Sequence, residues 1–300
     1  MPKTILVTGA TGRQGGSIIK ALQGTDFEIL ALTRDPSSPS AKKLASSSPN
    51  IKLVEGNLDD TQAVFKNAAS VTHNPIWGVY SVQGKPAGDV YIEEVQGKNL
   101  VDAALAAGVE FFVFSSVDRG GPRSSSQPTT IPHWTTKHNI EKHLEQKAAG
   151  TQMRYTVLRP VGFMENITND FMGKAMASMW QSALKDRPMQ LVATKDIGFF
   201  GAQAFRNPDE FAGRYISIAG DELTFDQANA IFKERLGKDM PATFGIVGHA
   251  ILHMIKDVGN MFKYLKYEGT GANVQECRRM NPDMLDFGDW LQKESQFRTV

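Results

Sequence analysis

Apolar positions in the first half of the chain fall into short continuous runs, separated by stretches in which they recur every three or four residues. The runs are Thr4-Ile5-Leu6-Val7, Phe27 to Leu32, Ile51-Lys52-Leu53-Val54, Ile76-Trp77-Gly78-Val79, Phe111-Phe112-Val113-Phe114 and Arg154 to Leu158. Each is long enough for one buried strand. Helical spacing between them predicts helices after Gly15 and over Ala41 to Ala45, Thr61 to Ala68, Val90 to Ala107 and His138 to Lys147. Strands alternating with helices of this length imply βαβ units, right-handed crossovers and a parallel sheet of the α/β class. After Arg159-Pro160 the alternation breaks down. Helical stretches over Phe163 to Trp180, Phe225 to Leu236 and Ile246 to Phe262 are interleaved with short strands near Gln190 to Val192 and Tyr215 to Ser217. Met172, Met176, Met179 and Trp180 share a helix face and read as core.

The junction of the first strand and first helix carries the main chemical signal. Val7 leads into Gly9-Ala10-Thr11-Gly12-Arg13-Gln14-Gly15-Gly16, and Ile18, Ile19, Ala21 and Leu22 then continue at helical spacing. Gly9 permits a tight turn, Gly12 lets a pyrophosphate approach bare backbone, and Gly15 lets the helix pack closely on the strand. The N–H groups opening the helix then face the phosphates, where the helix dipole favours negative charge. The fold expected is therefore a Rossmann-type doubly wound parallel sheet over residues 1–160, with a smaller α+β C-terminal lobe over 161–300 for a substrate or partner.

The end of the second strand distinguishes two dinucleotides. An NAD site places an acid there for the ribose hydroxyls, and this chain reads Leu32-Thr33-Arg34-Asp35. Arg34 suits a 2′-phosphate, Thr33 adds a hydroxyl and Arg13 supplies a second cation, so NADP(H) is the cofactor expected. Asn57-Leu58, after the third strand, offers an amide and an apolar side chain to an adenine ring. A reductase of this class needs a hydroxyl acid, a lysine to lower its pKa and a serine to hold the carbonyl oxygen. Ser115 and Ser116 end the fifth strand, and His133-Trp134-Thr135-Thr136-Lys137 occupies the place of a Tyr-x-x-x-Lys motif without its tyrosine. The catalytic candidates are thus Lys137 and His133, the latter either a proton donor or a plain helix-opening histidine. Asp35 to Ser40 and Gly120 to Thr130 read as loops at strand ends, the second long enough for a mobile lid.

Composition narrows the rest. The 300 residues, 41% hydrophobic and 22% charged, carry a net charge of +1, so no overall field draws the chain to nucleic acid or an acidic membrane. One cysteine, Cys277, excludes an internal disulfide or a cysteine-rich metal site and reads as buried filler. No run approaches the length of a membrane span. A soluble protein of the cytoplasm is expected, with the nucleus as an alternative. His249 and His253 lack an acidic third ligand at helical spacing, so no metal is expected. Lys256, Lys263, Lys266, Arg278 and Arg279 are interrupted by Asp257, Glu268 and Glu276, and read as a solvated face.

Taken together, GATGRQGG at Gly9 to Gly16, LTRDP at Leu32 to Pro36, HWTTK at His133 to Lys137, LRPVGFMEN at Leu158 to Asn166, KDIG at Lys195 to Gly198 and the segment Asn281 to Leu291 resemble the NmrA-like family, an atypical branch of the short-chain dehydrogenase/reductases. The resemblance implies NADP(H) bound through Gly9 to Gln14, Arg34, Asn57, Leu58, Ser81 at the end of the fourth strand, Lys137, Pro160, Phe163 and Asn166. It also implies one of two roles. Members lacking the tyrosine act as nicotinamide-responsive regulators that contact partner proteins, including transcription factors. Others are NADPH-dependent reductases acting on a small-molecule substrate, and loops such as Gln83 to Gly88 would close over it.

Overall fold

The computed structural model describes residues 2–84 and 89–298. Along the chain, β1 (Thr4–Val7), α1 (Arg13–Leu22), β2 (Glu28–Thr33), α2 (Pro39–Ala45), β3 (Ile51–Glu55), α3 (Thr61–Val71), β4 (Ile76–Ser81), α4 (Tyr91–Ala106), β5 (Phe111–Ser115), α5 (Pro132–Ala148) and β6 (Arg154–Pro160) follow in order. Next come β7 (Gly162–Phe163), α6 (Phe171–Leu184), β8 (Met189–Val192), α7 (Thr194–Arg206), α8 (Pro208–Phe211), β9 (Tyr215–Ile218) and β10 (Asp221–Leu223). Five helices finish it: α9 (Phe225–Leu236), α10 (Gly245–Met254), α11 (Lys256–Tyr267), α12 (Val274–Met280) and α13 (Phe287–Lys293).

The strands form two compact units. One comprises Met1–Ser116, Thr135–Arg159 and Ile197–Ile216, and the other Val117–Trp134, Pro160–Asp196 and Ser217–Val300. Segments 117–134 and 197–216 therefore cross the division expected at residue 160. The first unit is built on the sheet β3-β2-β1-β4-β5-β6-β9, in which the five pairs among β1 to β6 are parallel. This is the doubly wound order, with the reversal between β1 and β4. Leu6 lies level with Leu30 and Val79, and all three enter one cluster with Val64, Leu100, Val101, Ile140 and Leu144 from α3, α4 and α5. Alternate residues face the other way. A Cβ on Gly78 would meet Phe205 of α7 at 2.9 Å, and one on Gly201 of α7 would meet Ile18 of α1 at 2.7 Å. Helices thus cover both faces, as a buried parallel sheet requires.

The second unit holds a three-stranded sheet, β10-β8-β7, antiparallel at β10/β8 and parallel at β7/β8. Its core gathers Trp180, Phe225, Phe232, Phe262, Phe287 and Trp290. Met179 and Trp180 are buried as expected, whereas Met172, in the first turn of α6, is 68% exposed. That helix starts at Phe171 rather than Phe163, because Gly162–Phe163 pairs with β8 and Met164–Asn166 is a 3-10 turn. The stretch Ile246 to Phe262 divides at Ile255, whose backbone is not helical. Gly259 then passes so close to Leu252 that a Cβ would stand 2.3 Å from its carbonyl oxygen. Cys277 is buried, donates to the Ser217 carbonyl at 3.2 Å and has its thiol pKa raised by burial.

Candidate functional site

At the carboxyl end of β1 the backbone turns through Gly9, at φ +57°, into α1. The Gly12 N–H donates to the Gly9 carbonyl at 2.9 Å, closing the turn. A Cβ on Gly15 would lie 2.2 Å from that carbonyl oxygen, so only glycine lets α1 begin here. Gly12 serves as the N-cap and brings no side-chain cap. The first turn therefore presents backbone N–H groups beside exposed Thr11, Gly12 and Arg13, with Ala10 buried behind them. Such a terminus accepts an anion. Thr8 fastens the turn to the neighbouring strand end, its Oγ1 accepting from Val82 N at 2.8 Å.

Beside it, β2 ends on Thr33 and delivers Arg34 as an exposed guanidinium. Asp35 is turned away into the entry to α2. Its carboxylate accepts from the Ser37 hydroxyl at 2.6 Å and the Ser37 N–H at 2.8 Å, bonds that hold its pKa below the usual value. Thr33 Oγ1 is engaged locally, donating to the Asp35 carbonyl at 3.2 Å. After β3, the Asn57 amide donates to Asp59 at 2.5 Å, while Leu58 is buried in the core. Ser81, fully buried, accepts from Gln83 Nε2 at 2.9 Å. The loop expected over Gln83 to Gly88 lies largely outside the described residues.

The two serines ending β5 differ sharply. Ser115 donates to Gln14 Oε1 at 2.6 Å and so links the strand end to the glycine turn. Ser116 donates to Glu141, which is paired with Arg159 at 2.7 Å. The two charged side chains are 1% and 2% exposed, and the guanidinium lies 4.4 Å over the Tyr215 ring. Ser116 is thereby structural.

Helix α5 begins at Pro132, six residues earlier than expected, and takes HWTTK into its first turns. Proline suits a helix start because its missing N–H would have no helical acceptor there. Lys137 Nζ donates to Glu93 Oε1 at 2.7 Å, and Thr136 Oγ1 donates to Glu93 Oε2 at 3.0 Å. Glu93, in the first turn of α4, is 6% exposed. This acid escapes sequence reasoning because it lies 44 positions from its lysine. Tyr80, near the end of β4, is wholly buried, its Cε2 packs 3.2 Å from where a Gly201 Cβ would stand, and burial raises its pKa.

The other candidates lie in the second unit. His133 is half-buried and edge-on to Trp134 at 6.0 Å. Pro160 accepts from Asp118 N at 3.0 Å, Phe163 pairs with Val192, and Asn166 closes the 3-10 turn after β7. The segment Gly120 to Thr130 is not open throughout. Gly121–Ser125 forms a 3-10 turn with Gly121 and Ser124 buried. The Asp118 carboxylate holds it, accepting from Gly120 N at 2.9 Å, Gly121 N at 3.0 Å and Gly271 N at 2.7 Å. A mobile lid would have to be confined to the residues after Ser125.

The NmrA-like family model matches residues 1–286. An NmrA-like family domain-containing oxidoreductase, FrzB, of Cladobotryum sp is 27% identical over 297 residues, covering 88% of this chain and 84% of that protein. The chain is similar in structure to the Citrobacter sp. triphenylmethane reductase complexed with NADP(H), with a TM-score of 0.74, 16% identity and 97% and 100% of the two chains covered. It is likewise similar to NmrA, a negative transcriptional regulator, in complex with NADP, with a TM-score of 0.71, 17% identity and coverage of 98% and 95%. No helix among the described residues is long and apolar enough to cross a membrane.

Proposed function

Because the chain belongs to the NmrA-like family, we propose that it binds NADP(H) and reports the state of that cofactor to a partner protein. The N–H groups of α1 and the bare backbone of Gly12 would hold its diphosphate, and Arg34 would pair with the 2′-phosphate. Two solved structures of similar fold carry NADP or NADP(H), and one of these proteins is a transcriptional regulator. The observation that carries the regulatory reading is the disposition of the proton-handling groups. Tyrosine is replaced by His133, Ser116 is locked under Glu141 and Arg159, and the Lys137 ammonium is held by Glu93. A hydroxyl acid positioned by these groups would supply typically a hundred- to ten-thousandfold of rate, and His133 carries no hydroxyl.

A reductase of a small carbonyl or enone is the second reading, favoured by the oxidoreductase relative and by Ser115 at the strand end. NADPH bound here would supply hydride, while Lys137 or His133 would hold the proton. NADPH consumption over a panel of carbonyls and enones separates the two. The regulatory reading expects no rate above the protein-free control. Turnover that is lost in Lys137→Ala or His133→Ala would overturn it.

A further inference from the structure

The basic residues of the C-terminal region are sorted by the fold in a way their order in the chain conceals. Helix α11 presents Lys256, Gly259, Asn260, Lys263, Lys266 and Tyr267 on one stripe, at helical spacings of three and four. Val258, Met261 and Leu265, on the opposite side, and Phe262, between the two faces, pack into the core. Asp257 follows Lys256 directly and so lies about 100° round the helix from it. Glu268 is committed elsewhere, its carboxylate accepting from Arg123 at 3.0 Å. Helix α10, alongside, contains no acidic residue.

The stripe forms one wall of a groove of about 440 Å³ between α10, α11 and the end of α6. Ala183, Leu252 and Phe262 supply apolar lining, Lys256, Lys263 and Lys266 supply charge, and among the described residues no carboxylate lines it. Tyr267, 72% exposed, stands at one end, and Met254 and Ile255, 84% and 48% exposed, lie on the adjoining turn. An apolar trough edged by cations is complementary to a helix with an apolar ridge flanked by carboxylates. A membrane is a poorer match, because the apolar face of α11 is already buried.

We propose that this groove docks an acidic, amphipathic helix of a partner protein. The inference deepens the partner-binding reading and rests on it. Its probe is a fluorescein-labelled peptide of about eighteen residues with leucines at i, i+3, i+4 and i+7 and glutamates flanking them. Anisotropy should show saturable binding, weakened when salt is raised from about 50 to about 300 mM. Lys263→Glu with Lys266→Glu should weaken it about tenfold, each reversal turning a rim attraction into a repulsion. Tyr267→Ala, at an exposed position that leaves the fold intact, should weaken it about fivefold. Absence of binding, equal binding of a peptide with the same residues scrambled, or affinity unchanged in both variants would overturn the proposal. So would binding to phosphatidylserine vesicles as tight as to the peptide. Substrate turnover would instead remove the regulatory reading, and the NADPH-consumption assay reads that separately from the peptide titration.

Discussion

Asp196 is a titratable acid buried inside the second unit. It sits in the first turn of α7 and is 2% exposed. Its Oδ1 accepts from Asn281 Nδ2 at 2.9 Å and its Oδ2 from Leu285 N at 3.1 Å, fastening the Asn281 to Leu285 segment. Burial outweighs these bonds and pushes its pKa from the ordinary 3.8 up to about 7, with Glu165 acting in the same direction. Between those values the folded chain holds a proton that the unfolded chain has lost. The contribution to stability is therefore complete below about pH 4 and lost as pH rises through about 7. At about 1.36 kcal/mol per pH unit, it is of order 4 kcal/mol at most, and of order 3 kcal/mol between about pH 5 and about pH 8. Asp196→Asn is neutral throughout and keeps both contacts if Asn281 turns its amide. Urea unfolding, followed by the fluorescence of buried Trp180 and Trp290, should show wild type losing more stability than the variant over that pH range. Parallel losses in the two proteins would refute the buried-acid argument.

Further outcomes rest on the same packing. Glu141→Leu should cost about 3–5 kcal/mol by stranding Arg159, and adding Arg159→Met should restore most of it, as read by chemical denaturation. Gly12→Val should abolish NADPH binding measured by calorimetry while the circular dichroism spectrum stays native, since its Cβ would meet the Gly9 carbonyl at 3.1 Å, a crowding confined to an exposed turn outside the core. In wild type, hydrogen exchange with and without NADPH should change beyond Gly9 to Gly16 and Arg34, reaching the segment after Ser125 and α6 if the cofactor state is transmitted.

The strands of the first unit were legible because buried parallel strands are short continuous apolar runs, as in Thr4–Val7 and Phe111–Ser115. The glycine turn was legible because φ +57° at Gly9 and the close approach at Gly15 leave one residue type. Helix α7 was not. Gly198 and Gly201 lower its helix propensity, yet a Cβ at either would strike Ser17 or Ile18 of α1. The break at Ile255 was hidden for a related reason, since Gly259 matters through its approach to Leu252. Of the candidate site, the residues fixed by backbone form were readable, whereas the partners that decide availability were not. Glu93 on Lys137 and Glu141 on Ser116 arrive from other helices, and local spacing carries no trace of them.

Calorimetric titration of NADPH and NADH into wild type and Arg34→Glu asks whether the dinucleotide site is built for a 2′-phosphate. A charge-assisted pair is worth about 1.5–3 kcal/mol, so wild type should prefer NADPH by about ten- to a hundredfold, and Arg34→Glu should abolish or reverse that preference. Equal affinity of the wild-type protein for the two cofactors would mean that Arg34 does not read the 2′-phosphate.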